Sequence, residues 1–266
     1  MSPLPVSDIV RRLRQRQPLV HHITNWVTIY DCAQVVKVLG ASPVMAHAPE
    51  EVPQMVGLAQ SLVLNIGTLT REVVAAMHLA AGAANAKGIP VVLDACGAGA
   101  TPFRDEACFG LLDAVRIDVL KGNASEIARL AGARVQTRGV DAGQVDHDLS
   151  HIARDLAQAR RAVVVITGPQ DLVAGPQALY RVANGHPLLA RVVGTGCMAA
   201  SVIGACAAVE PDLALAAAAA LTLFGVAAEL AAAAGPGPGF FKERLFDALA
   251  ALDADTLQLR QRCETA

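Results

Sequence analysis

Aromatic residues are scarce in this sequence, with one Trp, two Tyr and six Phe making up 3% of 266 residues. With no basic run and a formal net charge of -2, it carries no electrostatic footprint for nucleic acid. The six cysteines (32, 96, 108, 197, 206 and 263) show no CxxC spacing and no nearby His pair. That pattern argues against a zinc site or a disulfide framework and for buried thiols in a reducing, cytoplasmic setting. No window reaches the ~18 uninterrupted, strongly apolar residues of a membrane span. The richest stretch, 213–234, is mostly Ala, which suits a close-packed helix of a soluble protein. The first 17 residues hold four Arg but no apolar h-region, so they read as a polar helix opening near Ser7, not as a secretory signal. The phosphate loop GxxxxGK[ST] and the GxSxG nucleophile elbow are both missing. No repeat, low-complexity linker or composition break divides the chain, so one domain over 1–266 is expected.

Hydrophobic residues make up 53% of the chain, enough for a sizeable core. Pro43-Val44-Met45, Leu62-Val63-Leu64-Asn65-Ile66, Pro90-Val91-Val92-Leu93-Asp94, Asp118-Val119-Leu120 and Ala162-Val163-Val164-Val165-Ile166 read as fully buried strands. Helical stretches lie around 28–39, 71–87, 105–115, 125–131 and 145–160. This alternation predicts a mainly parallel central sheet flanked by helices. A hairpin is expected from 171–174 to 179–181, and only helices after it, at 197–209, 211–234 and 240–252.

Open parallel sheets bind ligands beyond the carboxyl ends of their strands. Those ends read Met45-Ala46-His47, Asn65-Ile66-Gly67-Thr68, Asp94-Ala95-Cys96-Gly97, Lys121-Gly122-Asn123 and Thr167-Gly168, a converging rim of Gly and small polar groups. Gly97-Ala98-Gly99-Ala100-Thr101-Pro102 is an incomplete dinucleotide fingerprint, with Pro102 where a third glycine would open the helix. Gly194-Thr195-Gly196-Cys197, followed by a helical run, fits an anion-binding turn whose amides and helix dipole can face a transferring phosphoryl group. Asp94 and Glu126 fit the sparse carboxylate set of Mg²⁺, although Asn123 and Glu126 also fit an N-cap and its capping Glu. Lys121 can meet a phosphate as a point charge or be an ordinary strand-end Lys. His21-His22-Ile23-Thr24-Asn25 is a polar segment before an apolar helix, with the histidines in a loop and Thr24 or Asn25 as an N-cap on the plainer reading.

Taken together, these segments resemble the hydroxyethylthiazole kinase family of the ribokinase-like superfamily. The resemblance is carried by Pro18-Leu19-Val20-His21-His22-Ile23-Thr24-Asn25, by the stretch GASPVMAHAPEEV beginning at Gly40, and by Asn65-Ile66-Gly67-Thr68-Leu69. It continues through Gly97 to Arg104, Lys121 to Ile127, Asn184 to Leu189, and Gly194 to Cys197. It implies a ribokinase-like three-layer fold and a homotrimer with active sites between subunits. It also implies ATP and Mg²⁺, with 4-methyl-5-(2-hydroxyethyl)thiazole as the acceptor in thiamine biosynthesis or salvage. Carried over by position, Met45 and Gly194 contact the thiazole, with Asn25 near it. Lys121, Thr167 and Asn123 bind ATP; Gly194, Thr195 and Gly196 form the anion hole; Asp94 and Glu126 surround the metal; Cys197 is the catalytic base. On this reading Asp94→Asn and Glu126→Gln impair Mg²⁺-dependent turnover more than folding. The Ala-rich 197–234 region carries more apolar surface than one exposed layer would, which suits the trimer.

The sequence departs from the family wording at Ala95-Cys96, Lys121, Trp26 and Pro169-Gln170-Asp171. A kinase of another small alcohol, such as a hydroxymethylpyrimidine or pyridoxal, and an ADP-dependent dehydratase on the same fold are the alternatives.

Overall fold

A computed structural model describes residues 4–132 and 149–265. After α1 (Val6–Arg16), strands and helices alternate: β1 (Leu19–Ile23), α2 (Ile29–Val38), β2 (Ser42–Val44), α3 (Val52–Leu58), β3 (Ser61–Asn65) and α4 (Arg71–Lys87). They continue as β4 (Val91–Asp94), α5 (Pro102–Ala114), β5 (Val119–Asn123), α6 (Ala124–Leu130), α7 (Leu149–Arg160) and β6 (Val163–Thr167). The hairpin β7 (Asp171–Ala174) and β8 (Leu179–Val182) follows, then α8 (Thr195–Ala207), α9 (Leu213–Ala233), α10 (Phe241–Ala251), α11 (Ala254–Arg260) and β9 (Cys263–Thr265). Among the described residues the nine strands form one sheet in the order β2-β1-β3-β4-β5-β6-β7-β8-β9. The pairings from β2 through β6 are parallel, and those from β6 through β9 are antiparallel.

The period-two geometry of a strand explains why both sheet faces are apolar. Val63, Val92, Val119, Val163, Val165 and Val173 point into a core shared with α1, α2, α8, α9 and α10. Their neighbours Leu62, Leu64, Leu93, Leu120, Val164 and Ile166 point into the opposite core with α3, α4, α5 and α7. The result is three layers, helix on sheet on helix. Helix ends follow local chemistry: Thr70 caps α4 by accepting from Val73 N–H, and Gly88 ends it at φ +77°. Asp212 opens α9 by accepting from the amides of Ala214 and Leu215.

The helices α8 and α9 are buried nearly all round. Among the described residues α9 alone is long and apolar enough to cross a bilayer, and 78% of its most apolar window is covered by the fold. Within the chain α1, α10 and α11 pack against α9, and α1 and α2 against α8, so the apolar content of this region is no argument by itself for the trimer. Small residues permit the close approach, and Gly204 shows the limit. A Cβ there would lie 2.3 Å from Val63 Cγ2, while its carbonyl accepts from Ser61 Oγ at 2.8 Å. Gly204→Ala is expected to destabilise the fold by about 1–3 kcal/mol through overpacking, read as a lowered urea midpoint at unchanged slope.

Several expectations are revised. The histidines of the 21–25 segment are not loop residues: His21 and His22 belong to β1, between β2 and β3, and are buried inside the sheet. Main-chain carbonyls make that burial tolerable, Ala46 O bonding His21 Nε2 at 2.7 Å and Val20 O bonding His22 Nδ1 at 3.1 Å. The second strand is a half-buried edge, not a fully buried one. The end of the chain is not helical throughout, because β9 returns to pair with β8. Residues 145–148 of the helix expected at 145–160 lie outside the described residues.

Candidate active site

The carboxyl ends of β1, β3, β4 and β5 and the N-terminus of α8 meet in one hydrogen-bonded chain of side chains. Lys121 on β5 places its ammonium 3.1 Å from Asp94 Oδ1 at the end of β4. Asp94 Oδ2 accepts from Asn65 Nδ2 at 2.8 Å. Asn65 Oδ1 accepts from Asn25 Nδ2 at 3.0 Å, and the same nitrogen donates to Cys197 Sγ at 3.3 Å. Parallel pairing sets this alignment, since Asn65 lies opposite Asp94 and Asp94 opposite Lys121.

Gly194 is the N-cap of α8 at φ +92°, where a Cβ would meet Thr28 Cγ2 at 2.5 Å, so only glycine fits. The helix begins at Thr195, two residues earlier than the sequence suggests. The amides of Thr195, Gly196 and Cys197 therefore belong to the first turn and have no intrahelical acceptor. Thr195 Oγ1 donates to Leu189 O at 2.7 Å, leaving only its amide to face an anion. Lys121 Nζ lies 3.2 Å from where a Gly196 Cβ would stand, which sets a positive charge beside that first turn.

Across the rim, Asn123 and Glu126 form a complete capping box at the start of α6. Glu126 Oε2 accepts from Asn123 N–H and Oε1 from Gly97 N–H, each at 2.7 Å. Asp105 Oδ1 takes Gly99 N–H at 2.7 Å. The GAGATP turn thus spends two amides on carboxylates and ends as the Thr101 cap and first-turn Pro102 of α5, which excludes the dinucleotide reading. Thr167 closes β6 in register with Asn123, its hydroxyl 3.4 Å from Gly122 O. Met45 follows β2 at the sheet's far edge, its segment anchored through His21 and Ala46 O.

The electrostatics follow from burial and pairing. Burial would lower the Lys121 ammonium, but the carboxylates of Asp94 and Glu126 hold it above its usual range. Burial pushes Glu126 up to about 7, against the pull of Lys121. The Cys197 thiol is brought down to about 7, first by its hydrogen bond with Cys96, while burial and Asp94 oppose the shift and Lys121 assists it. By contrast burial raises Cys32 to about 11 and Cys108 and Cys206 to about 12. Among the described residues Cys197 is the cysteine poised to ionise near neutrality.

Of the residues singled out from sequence, the structure joins Asn25, Asp94, Lys121 and Cys197 directly and sets Gly194, Thr195 and Gly196 beside them. Glu126, Asn123 and Thr167 form the adjacent rim, and Met45 stands apart. Asn65, Cys96 and Thr28 had no assigned role. The one signal for Asn65 was a polar residue closing an otherwise apolar strand.

An open, mainly parallel sheet with a helix layer on each face and polar side chains gathered beyond its carboxyl edge defines a three-layer α/β class of protein. A ribokinase-like superfamily protein from Enterococcus faecalis V583 shares this fold at a TM-score of 0.64 and 14% identity, covering 91% of this chain and 93% of that one. The chain belongs to the hydroxyethylthiazole kinase family, whose profile matches residues 10–255. It is 51% identical over 259 residues to hydroxyethylthiazole kinase of Methanosarcina mazei, covering 97% of this chain and 99% of that protein. The solved hydroxyethylthiazole kinase of Pyrococcus horikoshii OT3 superposes with a TM-score of 0.90 at 37% identity, covering 98% of each chain.

Proposed function

We propose that this chain transfers the γ-phosphoryl group of ATP to the hydroxyl of 4-methyl-5-(2-hydroxyethyl)thiazole, serving thiamine biosynthesis or salvage. The observation that carries the reading is the placement of an ionisable thiol, Cys197, in the first turn of an anion-facing helix beside the Lys121 ammonium. Lys121, Thr167 and Asn123 face the nucleotide, and Met45 and Gly194 face the thiazole. The Asn25 oxygen accepts from Thr28 N–H and Oγ1, and its nitrogen serves Asn65 and Cys197, so it shapes the pocket without a polar atom to spare.

As the hydroxyl oxygen bonds to the γ-phosphorus, Cys197 Sγ takes the hydroxyl proton and ADP leaves with the electrons of the broken P–O bond. The amides of Thr195, Gly196 and Cys197, with Lys121, stabilise the charge on the transferring group. No group of three or more metal-ligating side chains occurs among the described residues. That donor set would fit Mg²⁺ bound mostly by phosphate oxygens and water, with Glu126 and Asp94 adding negative charge beside it while they keep their hydrogen bonds. When bound, Mg²⁺ supplies positive charge to the phosphate oxygens.

The functional unit is a homotrimer of single-domain chains, spanning 1–266, with each site completed by a neighbour. Trp26, Val27, Tyr30, Val193 and Phe240 are all at least half exposed. The segments that carry them meet beside the site: Thr28 abuts Gly194, and Lys242 pairs with Asp31 at 3.0 Å. Such a patch beside a catalytic cleft marks an interface. Sedimentation at assay concentration should show a trimer carrying the activity; an active monomer would contradict it. Six unpaired thiols suit a reducing cytoplasm.

Coupled ATP turnover over a panel of alcohols tests the substrate. The thiazole should be preferred over hydroxymethylpyrimidine and pyridoxal by orders of magnitude in kcat/KM. Preference for either of those, or dehydration supported by ADP, would replace this reading.

A further inference from the structure

We infer that Asn65 is a positioning residue for proton transfer at Cys197, acting through the side chain of Asn25. The inference deepens the proposed function and rests on Cys197 being the group that takes the substrate proton. Asn65 is 1% exposed and touches no solvent that a substrate could displace, so it cannot act by contact.

Its leverage comes from fixed donor and acceptor identities. A main-chain N–H can only donate, and two of them set the orientation of both amides. Gly67 N–H donates to Asn65 Oδ1 at 2.8 Å, so that atom is an acceptor. Thr28 N–H donates to Asn25 Oδ1 at 3.1 Å, so the other terminal atom of Asn25 is its NH₂. One hydrogen of that NH₂ goes to Asn65 Oδ1 and the other to Cys197 Sγ. Neither amide can flip without setting a donor against a donor. Asn65 Nδ2, bound to Asp94, fixes the far end and links the thiol to the Lys121 pair.

A thiolate accepts a hydrogen bond better than a thiol does, so a donor held on sulfur favours the ionised form. The other titratable groups around Cys197 are Cys96 beyond β4, Asp94 at the end of β4, Lys121 on β5 and Cys32 on α2. None of them dictates where the Asn25 donor points; Asn65 and Thr28 do.

The test is the pH dependence of Cys197 alkylation by iodoacetamide in the full-length protein without nucleotide, with the modified peptide located by mass. The pH profile of kcat/KM is measured in parallel. In Asn65→Ala the midpoint of alkylation should rise by about one pH unit, the effect expected of losing one hydrogen bond to a charged group. The kcat/KM profile should move with it, and kcat should fall more than KM for the thiazole rises. In Asn25→Ala the shift should be at least as large, and the double variant should add nothing to it, because the two residues act in series. Asn65→Ser, too short to reach Asn25, gives the same reading should Asn65→Ala fail to fold.

A midpoint that stays put in folded Asn65→Ala, or shifts that add in the double variant, would overturn the inference. A moved midpoint in a protein that does not phosphorylate the thiazole would uphold the hold of Asn65 on the thiol and contradict the kinase reading.

Discussion

Cys197→Ala should lower kcat by about 10²-fold, near the low end for a general base, while leaving measurable turnover. Phosphoryl transfer leans on positioning and charge stabilisation, and the amides of the α8 first turn and Lys121 survive the substitution. Cys197→Asp should stay active and can exceed the native rate. A thiol brought down to about 7 is only partly ionised at neutrality, whereas a carboxylate there is ionised. The sign follows directly: the thiolate is lost as pH falls through about 7, so native kcat/KM should climb across that pH and level off above it. The profile of Cys197→Asp should be flatter over the same window. Full turnover in Cys197→Ala, or none in folded Cys197→Asp, would remove the thiol from the role of base.

Asp94→Asn should destabilise the fold by about 3–5 kcal/mol, the range for breaking a buried ion pair from one side. The pair is sealed, with side-chain exposures of 5% for Lys121 and 0% for Asp94. Both Asp94 oxygens face donors, Lys121 Nζ and Asn65 Nδ2, so the amide of an Asn must oppose one of them. The expectation that this variant weakens turnover far more than folding is therefore revised: both should fall substantially. Combining Asp94→Asn with Lys121→Met should recover part of that stability, because the lysine is no longer buried without its partner, and leave turnover lost. Urea midpoints of the single and double variants decide this. Glu126→Gln, which turns one amide acceptor into a donor, should cost about 1–3 kcal/mol by the same argument.

How far the sequence discloses the molecule can be judged from particular segments. The helix expected at 71–87 is α4 to the residue, because apolar periodicity, a Thr cap and a terminal Gly agree. The strands β3, β4 and β6 are legible because parallel strands buried on both faces read as unbroken apolar runs. The first strand breaks that rule with two histidines whose partners, Ala46 O and Val20 O, are visible only in three dimensions. The rim was legible as a set of strand ends. Its wiring was not: Asn25 and Cys197 are 172 residues apart, and no local pattern reports their contact. Glu126 shows a further limit, since one spacing fits both a capping Glu and a metal-facing carboxylate, and the structure displays the first.

The most direct test of the whole account is to supply ATP labelled with ¹⁸O in its γ-phosphoryl group, together with Mg²⁺ and 4-methyl-5-(2-hydroxyethyl)thiazole, and to weigh the product. The account predicts a thiazole monophosphate that carries the label, with one ADP formed per product and the yield collapsing in Cys197→Ala at matched time. Labelled inorganic phosphate with unchanged thiazole, or a labelled phosphate on a different acceptor at far higher kcat/KM, would contradict it.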